Sequence, residues 1–476
     1  GKLLLGDKRV NINKTNKNDQ TTFYLACQNG HIEIVKLLFN DKRIDINKAN
    51  KGNQTPFFIA CEKQNIEIVK LLLNDERVDI NKARDHEIGN KSGKTPFNLA
   101  CKEGHIEIVK LFLLLNDERI DINKANTNGQ TSFYIACENG QLEIVKLLLN
   151  DKRVDVNQAN EDGCKPFSAA CRRGDINIVK LLLRDERVDI NQADSRNQTP
   201  FYTACQEGYI EIVKLLLNNE KVDINQGNYY GGTPFWIACC FRHIEIVKLL
   251  LNDDRVDINK TDNGGETPFY AACQEGHIEI VKLLLNDQRV DINQAENGGE
   301  TPFFIACARG RIEIVKLLLN DQRVDITKAN GDWTPFWIAC NFEEIEVMKL
   351  LLNDQRIDIN RSSRLHYTCY EGDIECVRHI LAMRREINLT MEDHRGMTPI
   401  DHAKEGKEMR RFRESEKEFQ ERRKNCTDII ELLESFERNP NETRTKLRIQ
   451  LVLDGNQFIF IFHSNSNSFL QINIYL

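Results

Sequence analysis

Fifteen cysteines and ten histidines in 476 residues could build a metal centre, a disulfide framework or a thiol–imidazole nucleophile. Eleven of those cysteines, Cys27, Cys61, Cys101, Cys137, Cys171, Cys205, Cys239, Cys273, Cys307, Cys340 and Cys369, recur at one place in a repeating pattern. Neighbours in such a column stand a helix-packing distance apart, about 8–10 Å. A disulfide needs Cα atoms closer than about 7 Å, and zinc needs each sulfur about 2.3 Å away. Neither fits, so the column reads as small buried hydrophobes. A ladder of free thiols also points to a reducing, intracellular setting, cytoplasmic or nuclear. Cys164 with Cys171, and Cys369 with Cys376, stand seven apart with nothing adjacent to complete a site. His31, His105, His243 and His277 recur with the pattern and read as structural. A phosphate-cradling glycine loop, a His-Glu-x-x-His and a paired Cys-x-x-Cys are all missing from the sequence. The expectation is a protein that is not an enzyme, with no cofactor and no metal.

What positions these residues is a repeat. Its proline stands at Pro56, Pro96, Pro166, Pro200, Pro234, Pro268, Pro302 and Pro335, with Thr22 and Ser132 in the same slot of two further copies. From Ser132 to Pro302 the spacing is a steady 34, the mark of a stacked-repeat solenoid. In the copy at 199–225, Thr199 suits an N-cap and Pro200 the first helical position. Phe201, Ala204 and Cys205 fall on one stripe of a short helix, and Gly208 ends it. A second helix over about 209–217 carries Ile210, Ile212, Val213, Leu215, Leu216 and Leu217, a stripe wide enough to be buried on two sides. Glu211 and Lys214 pair on its wet face, and Asn218 suits a left-handed C-terminal position. Residues 221–225 alternate polar and apolar, as a hairpin arm does. No unit can bury all this apolar surface alone, so its neighbours must supply the rest.

These residues resemble the ankyrin repeats. That family's opening Thr-Pro-Leu-His reads here as Thr-Pro-Phe-Tyr, its Ala-Ala as Ala-Cys, and its Gly-His-x-Glu-Val-Val as Gly-His-Ile-Glu-Ile-Val. The resemblance covers roughly 1–403. It implies an all-α solenoid of 11–12 repeats, with two antiparallel helices per repeat, a projecting β-hairpin, and a curved stack whose concave side binds other proteins. The family's Gly-Ala-Asp is replaced by Asn-Asp-x-Arg-Val-Asp, one residue longer, which predicts a longer loop.

The chain divides into a partial repeat at 1–16, regular repeats over 17–362, degenerate capping repeats over 363–438, and a non-repeat tail at 439–476. Residues 84–90 insert into one hairpin, and the second helix near Phe112 and Leu113 gains two residues. Residues 404–424 extend the last first helix with both charge signs, a candidate for self-association. In the tail, Leu447, Ile449, Leu451 and Leu453 alternate with polar residues ahead of Asp454-Gly455, predicting either a β-hairpin or disorder. The net charge of −7, with both signs interspersed, leaves no electrostatic footprint for nucleic acid. No apolar run approaches the 18 or so residues that cross a bilayer.

Binding candidates are the residues that break the repeat. Arg172, Arg173 and Arg309 stand where the family shows side chains to partners. Tyr229, Tyr230 and Trp333 fall at hairpin tips. Phe241 and Arg242, and then Phe342, replace the usual helix-ending residues. Trp236 and Trp337 belong to an aromatic column after the motif phenylalanine, read either as packing between repeats or as a lining of the groove. The expected function is a scaffold or adaptor, a monomeric array that binds a protein partner through the concave face and hairpin tips. Because the chain begins inside a repeat, the alternative is the regulatory or targeting arm of an enzyme whose catalytic domain lies upstream of Gly1.

Overall fold

The computed structural model describes residues 10–84, 93–114, 119–331, 333–358, 360, 364–383 and 386–454. Twenty-five α-helices run through them, as twelve pairs and a closing single helix, Pro440–Leu453. The fingers between pairs are turns, with isolated antiparallel bridges at Thr15–Thr21, Arg84–Lys94 and Asn330–Trp333 and no strand among the described residues.

In a representative pair, Pro200–Glu207 and Ile210–Leu217, the local signals act as the sequence predicts. Thr199 Oγ1 accepts the Tyr202 amide at 3.1 Å, and ten first helices carry the same threonine cap. Gly208 takes φ +79 at the helix end, and a Cβ there would meet the His243 ring at 2.6 Å. Phe201, Ala204, Cys205, Ile212, Val213 and Leu216 are all buried, each large apolar side chain contributing about 1.5–3 kcal/mol. All eleven column cysteines are buried, and burial raises thiol pKa values, as at Cys205 and Cys239.

Asn218 does not take a left-handed conformation: its φ is −73. The reason comes from the next repeat, whose Arg255 donates Nη2 to the Leu217 carbonyl at 2.7 Å. Arg255 also holds Asp253 through Nε and Nη2 at 2.9 and 2.6 Å, keeping that carboxyl below its usual range. Arg187, Arg289 and Arg356 reach Leu149, Leu251 and Leu319 in the same way. The longer Asn-Asp-x-Arg loop is therefore a helix cap delivered from one unit to its predecessor, satisfying carbonyls that a helix end leaves open.

A second splice runs through the fingers. In ten units, beginning with Asn13 and ending with Asn360, an asparagine Nδ2 donates to a backbone carbonyl one repeat ahead at 2.5–3.0 Å. The same side chain accepts an amide two residues further on, as Asn225 Oδ1 does from Asp257 at 2.9 Å. A third splice lies ahead of the second helices: His243 Nε2–H donates to the Gln206 carbonyl at 2.8 Å, and Asn65 and Gln141 do the equivalent.

The chain forms two compact units, residues up to Ala272 with Lys282–Val290, and Cys273–Val281 with residues from Asp291 onward. The second unit carries the departures at the C-terminal end. The expected continuous helix over 404–424 is broken, ending as Pro399–Glu408 and restarting as Glu416–Arg438. Ser415 and Glu418 form a capping box that starts the new helix, which runs on to bury Cys426, Ile429, Leu433 and Phe436. Arg422 is buried beneath the break, donating Nη2 to the Met409 carbonyl at 2.6 Å, donating Nη1 to the Gly406 carbonyl, and pairing with Glu414 at 2.8 Å. That guanidinium holds the Glu414 carboxyl down to about 2.

The start of the tail is a helix rather than a hairpin. Pro440–Leu453 buries Leu447 and Leu451, four apart, and leaves Ile449 and Leu453 exposed. The hairpin's second arm and the Gly455 turn lie outside the described residues, as does most of the insertion at 84–90. The lengthened second helix is Ile106–Leu114, with Phe112 buried.

Candidate protein-binding surface

The aromatic column is packing. Tyr24, Phe58, Tyr134, Tyr202, Tyr270, Phe304 and Trp337 are buried, and only Trp236 is half-buried. Asn228 Nδ2 donates to the Tyr202 hydroxyl at 2.9 Å, tying the ring to the next finger, and burial pushes that phenol up to about 12. Trp337, 2 % exposed, therefore offers a partner no ring face. Where the column lacks an aromatic, a neighbour compensates. Asn98 donates Nδ2 to the Ser132 hydroxyl at 2.8 Å, so the missing aromatic in one repeat and the missing proline in the next form one buried pair.

The hairpin-tip and helix-end residues are the ones left in solvent. Tyr229 and Tyr230 are each 71 % exposed, their rings edge-to-face at 5.5 Å. Phe241 is 55 % exposed and stacks on His243 at 6.3 Å. Arg242, just after it, stands at φ +62, where the copy at 199–225 has Gly208. Phe342 and Glu343 repeat the arrangement, with Phe342 56 % exposed and Glu343 at φ +57. A left-handed non-glycine residue costs roughly 1–2 kcal/mol. Gln64 carries the same strain without an aromatic neighbour.

The arginines divide. Arg172 lies 3.7 Å from Asp194. Arg173 lies against Gly140, where a Cβ would meet its Nε at 2.5 Å. Arg309 is exposed at the end of its helix. Trp333 is partly exposed and meets Tyr367 edge-to-face at 6.0 Å. These two line an open cleft of about 570 Å³ in the second unit, together with Asp373, Phe412 and residues of the Glu416–Arg438 helix. Sequence reasoning missed that cleft, since most of its wall comes from the degenerate repeats.

A family profile described as ankyrin repeats (3 copies) matches residues 1–84, 82–160, 150–228, 167–262, 220–296, 248–330 and 288–363. The chain belongs to the ankyrin-repeat family. Ankyrin repeats are generally protein–protein interaction modules. No curated protein matches the sequence. Among the described residues of this ankyrin array, no helix is long and apolar enough to cross a membrane. Nor does any group of three His, Cys, Asp or Glu side chains there suit a metal ion.

Proposed function

We propose that this ankyrin array is a non-catalytic adaptor, acting as a monomer in a reducing compartment. It binds a protein partner through its finger tips and the ends of its first helices. The anchors are Tyr229, Tyr230, Phe241 and Arg242, all within one repeat. One observation carries this reading: these rings face solvent together at one finger and the helix end that follows it, whereas the aromatic column after the motif phenylalanine is buried between repeats. Aromatic and arginine side chains dominate interface energetics, and an exposed aromatic group marks an interaction site better than scattered aliphatics do. The left-handed Arg242 fits, because strain tends to persist where function needs it.

The test is capture by the immobilised full chain, wild type against Phe241→Ala and Tyr230→Ala, with retained proteins quantified by mass spectrometry. A specific partner should be lost by at least about tenfold, since a hot spot contributes 2 kcal/mol or more. Equal recovery on all three chains would refute the assignment.

A further inference from the structure

We propose that the cleft of the second unit receives a lysine or arginine side chain carried on an extended segment of the protein partner. This rests on the protein-binding reading above but uses different residues.

The cleft has an excess of negative charge. Six carboxylates and three arginines line it. Arg411 is taken by Glu371 and Arg422 by Glu414, while Arg413 lies over the Phe412 ring at 5.2 Å. Glu418 is occupied with the Ser415 amide at 2.8 Å. Glu343, Asp373 and Glu421 remain without an ion pair among the described residues; the Asp373 carboxylate accepts the Cys376 amide at 3.0 Å. Burial, reinforced by Glu343 and Glu375, lifts the Asp373 carboxyl to about 6, as expected of an acid short of counter-charge.

The walls suit an organic cation. Trp333 and Tyr367 stand at 80° to one another, a corner in which a guanidinium or ammonium can lie over one ring face and against a carboxylate. Trp337 belongs to the same wall, and its buried Nε1–H has no acceptor. Phe412, 89 % exposed on the turn before Glu416–Arg438, stands at the same cleft, where the apolar stem of such a side chain would cover it.

Short fluorescein-labelled serine–glycine peptides with a central lysine, arginine, norleucine or glutamate should be titrated against the full chain by fluorescence anisotropy. The lysine and arginine peptides should bind at least about tenfold more tightly than the norleucine peptide. Glu343→Gln, an exposed position outside the core, and Tyr367→Ala should each remove most of that difference, with the helical circular dichroism unchanged. Phe241→Ala should leave it intact. Norleucine binding as well as lysine, indifference to Glu343→Gln, or no saturable binding at millimolar peptide would each overturn the proposal. Spermidine competing as tightly as the peptides would overturn the peptide assignment. Failure of the peptides alongside Phe241-dependent capture would sink the cleft alone.

Discussion

Replacing Asn225 by alanine tests whether the finger splices hold neighbouring repeats together. The substitution removes the donation to the Arg255 carbonyl at 2.7 Å and the acceptance from the Asp257 amide at 2.9 Å. An intramolecular hydrogen bond contributes about 0.5–1.5 kcal/mol net, and these two are solvent-exposed, so water takes over part of each role. The expected loss is about 1–2 kcal/mol. In a repeat array this loss belongs to the coupling between neighbours rather than to either unit. It should therefore appear first as local opening, with the Asp257 amide exchanging about 5–30 times faster. Native-state hydrogen exchange reads that directly, and urea unfolding reads the total. Glu211→Ala is the control: it removes an equally exposed pair, Lys214 to Glu211 at 2.8 Å, but one within a single helix. Such i,i+3 pairs contribute only about 0.2–0.5 kcal/mol. If Asn225→Ala left both the Asp257 exchange rate and the urea midpoint where Glu211→Ala leaves them, the splices would not couple the repeats.

Restoring the repeat consensus with Ser132→Pro should destabilise by about 1–3 kcal/mol, because it removes the hydroxyl that Asn98 Nδ2 reaches in the core. Denaturant melts of the double variant Asn98→Tyr/Ser132→Pro should recover much of that loss, a non-additive result expected of contacting residues. Arg422→Met should cost about 1–3 kcal/mol by leaving the Glu414 carboxylate with the Arg411 amide as its remaining hydrogen-bond donor. The wild-type ion pair has a pH signature with a definite sign. Glu414 is depressed from 4.5 to about 2, so its stabilisation is complete above pH 4.5 and is lost as pH falls through about 2. Acid titration of the helical signal should show this limb in the wild type and a weaker one, shifted to higher pH, in Arg422→Met, where only the Arg411 contributions remain.

The parts of this fold legible in the sequence are those with a local signal repeated many times. Thr199-Pro200 starts a helix wherever it recurs, and the cysteine column could be assigned to the core from spacing alone. The splices were harder to see because each joins residues about 30 apart. Asn225 looked like the polar half of a hairpin arm. Its recurrence in nearly every unit, while neighbouring polar positions vary, was the available clue. At the C-terminal end the signals were present but outvoted. Ser415-x-x-Glu418 is a capping box, yet the dense charge of 404–424 read as one helix. Asn439-Pro440 with Glu442 is a helix start, and Leu447 with Leu451 fits a helical face as well as a strand. The cleft was not legible, because its wall joins Trp333 to residues nearly a hundred positions later.

The repeats also provide a way to separate packing from function when only one sequence is in hand. A departure from the repeat that packing requires should have a partner in an adjacent repeat. Asn98 finds one in Ser132, and Arg173 lies against Gly140 in the preceding repeat. Tyr202 finds one in Asn228. Trp337, a candidate by residue type alone, is sealed in the column, and only its indole N–H is left unsatisfied. Phe241, Phe342 and Phe412 fail this test in a different sense, because their rings face water. Phe241 and Phe342 are in addition followed by residues held in the left-handed region that glycine elsewhere occupies without strain. At 242 and 343 the strain coincides with a bare ring, whereas Gln64 carries the strain alone, and the coincidence asks for an explanation. A partner that covers the rings and reads the backbone turn supplies it, and Arg242→Gly separates the two. It should relieve roughly 1 kcal/mol of strain in the free chain while weakening partner capture, an opposition of signs that neutral drift does not produce.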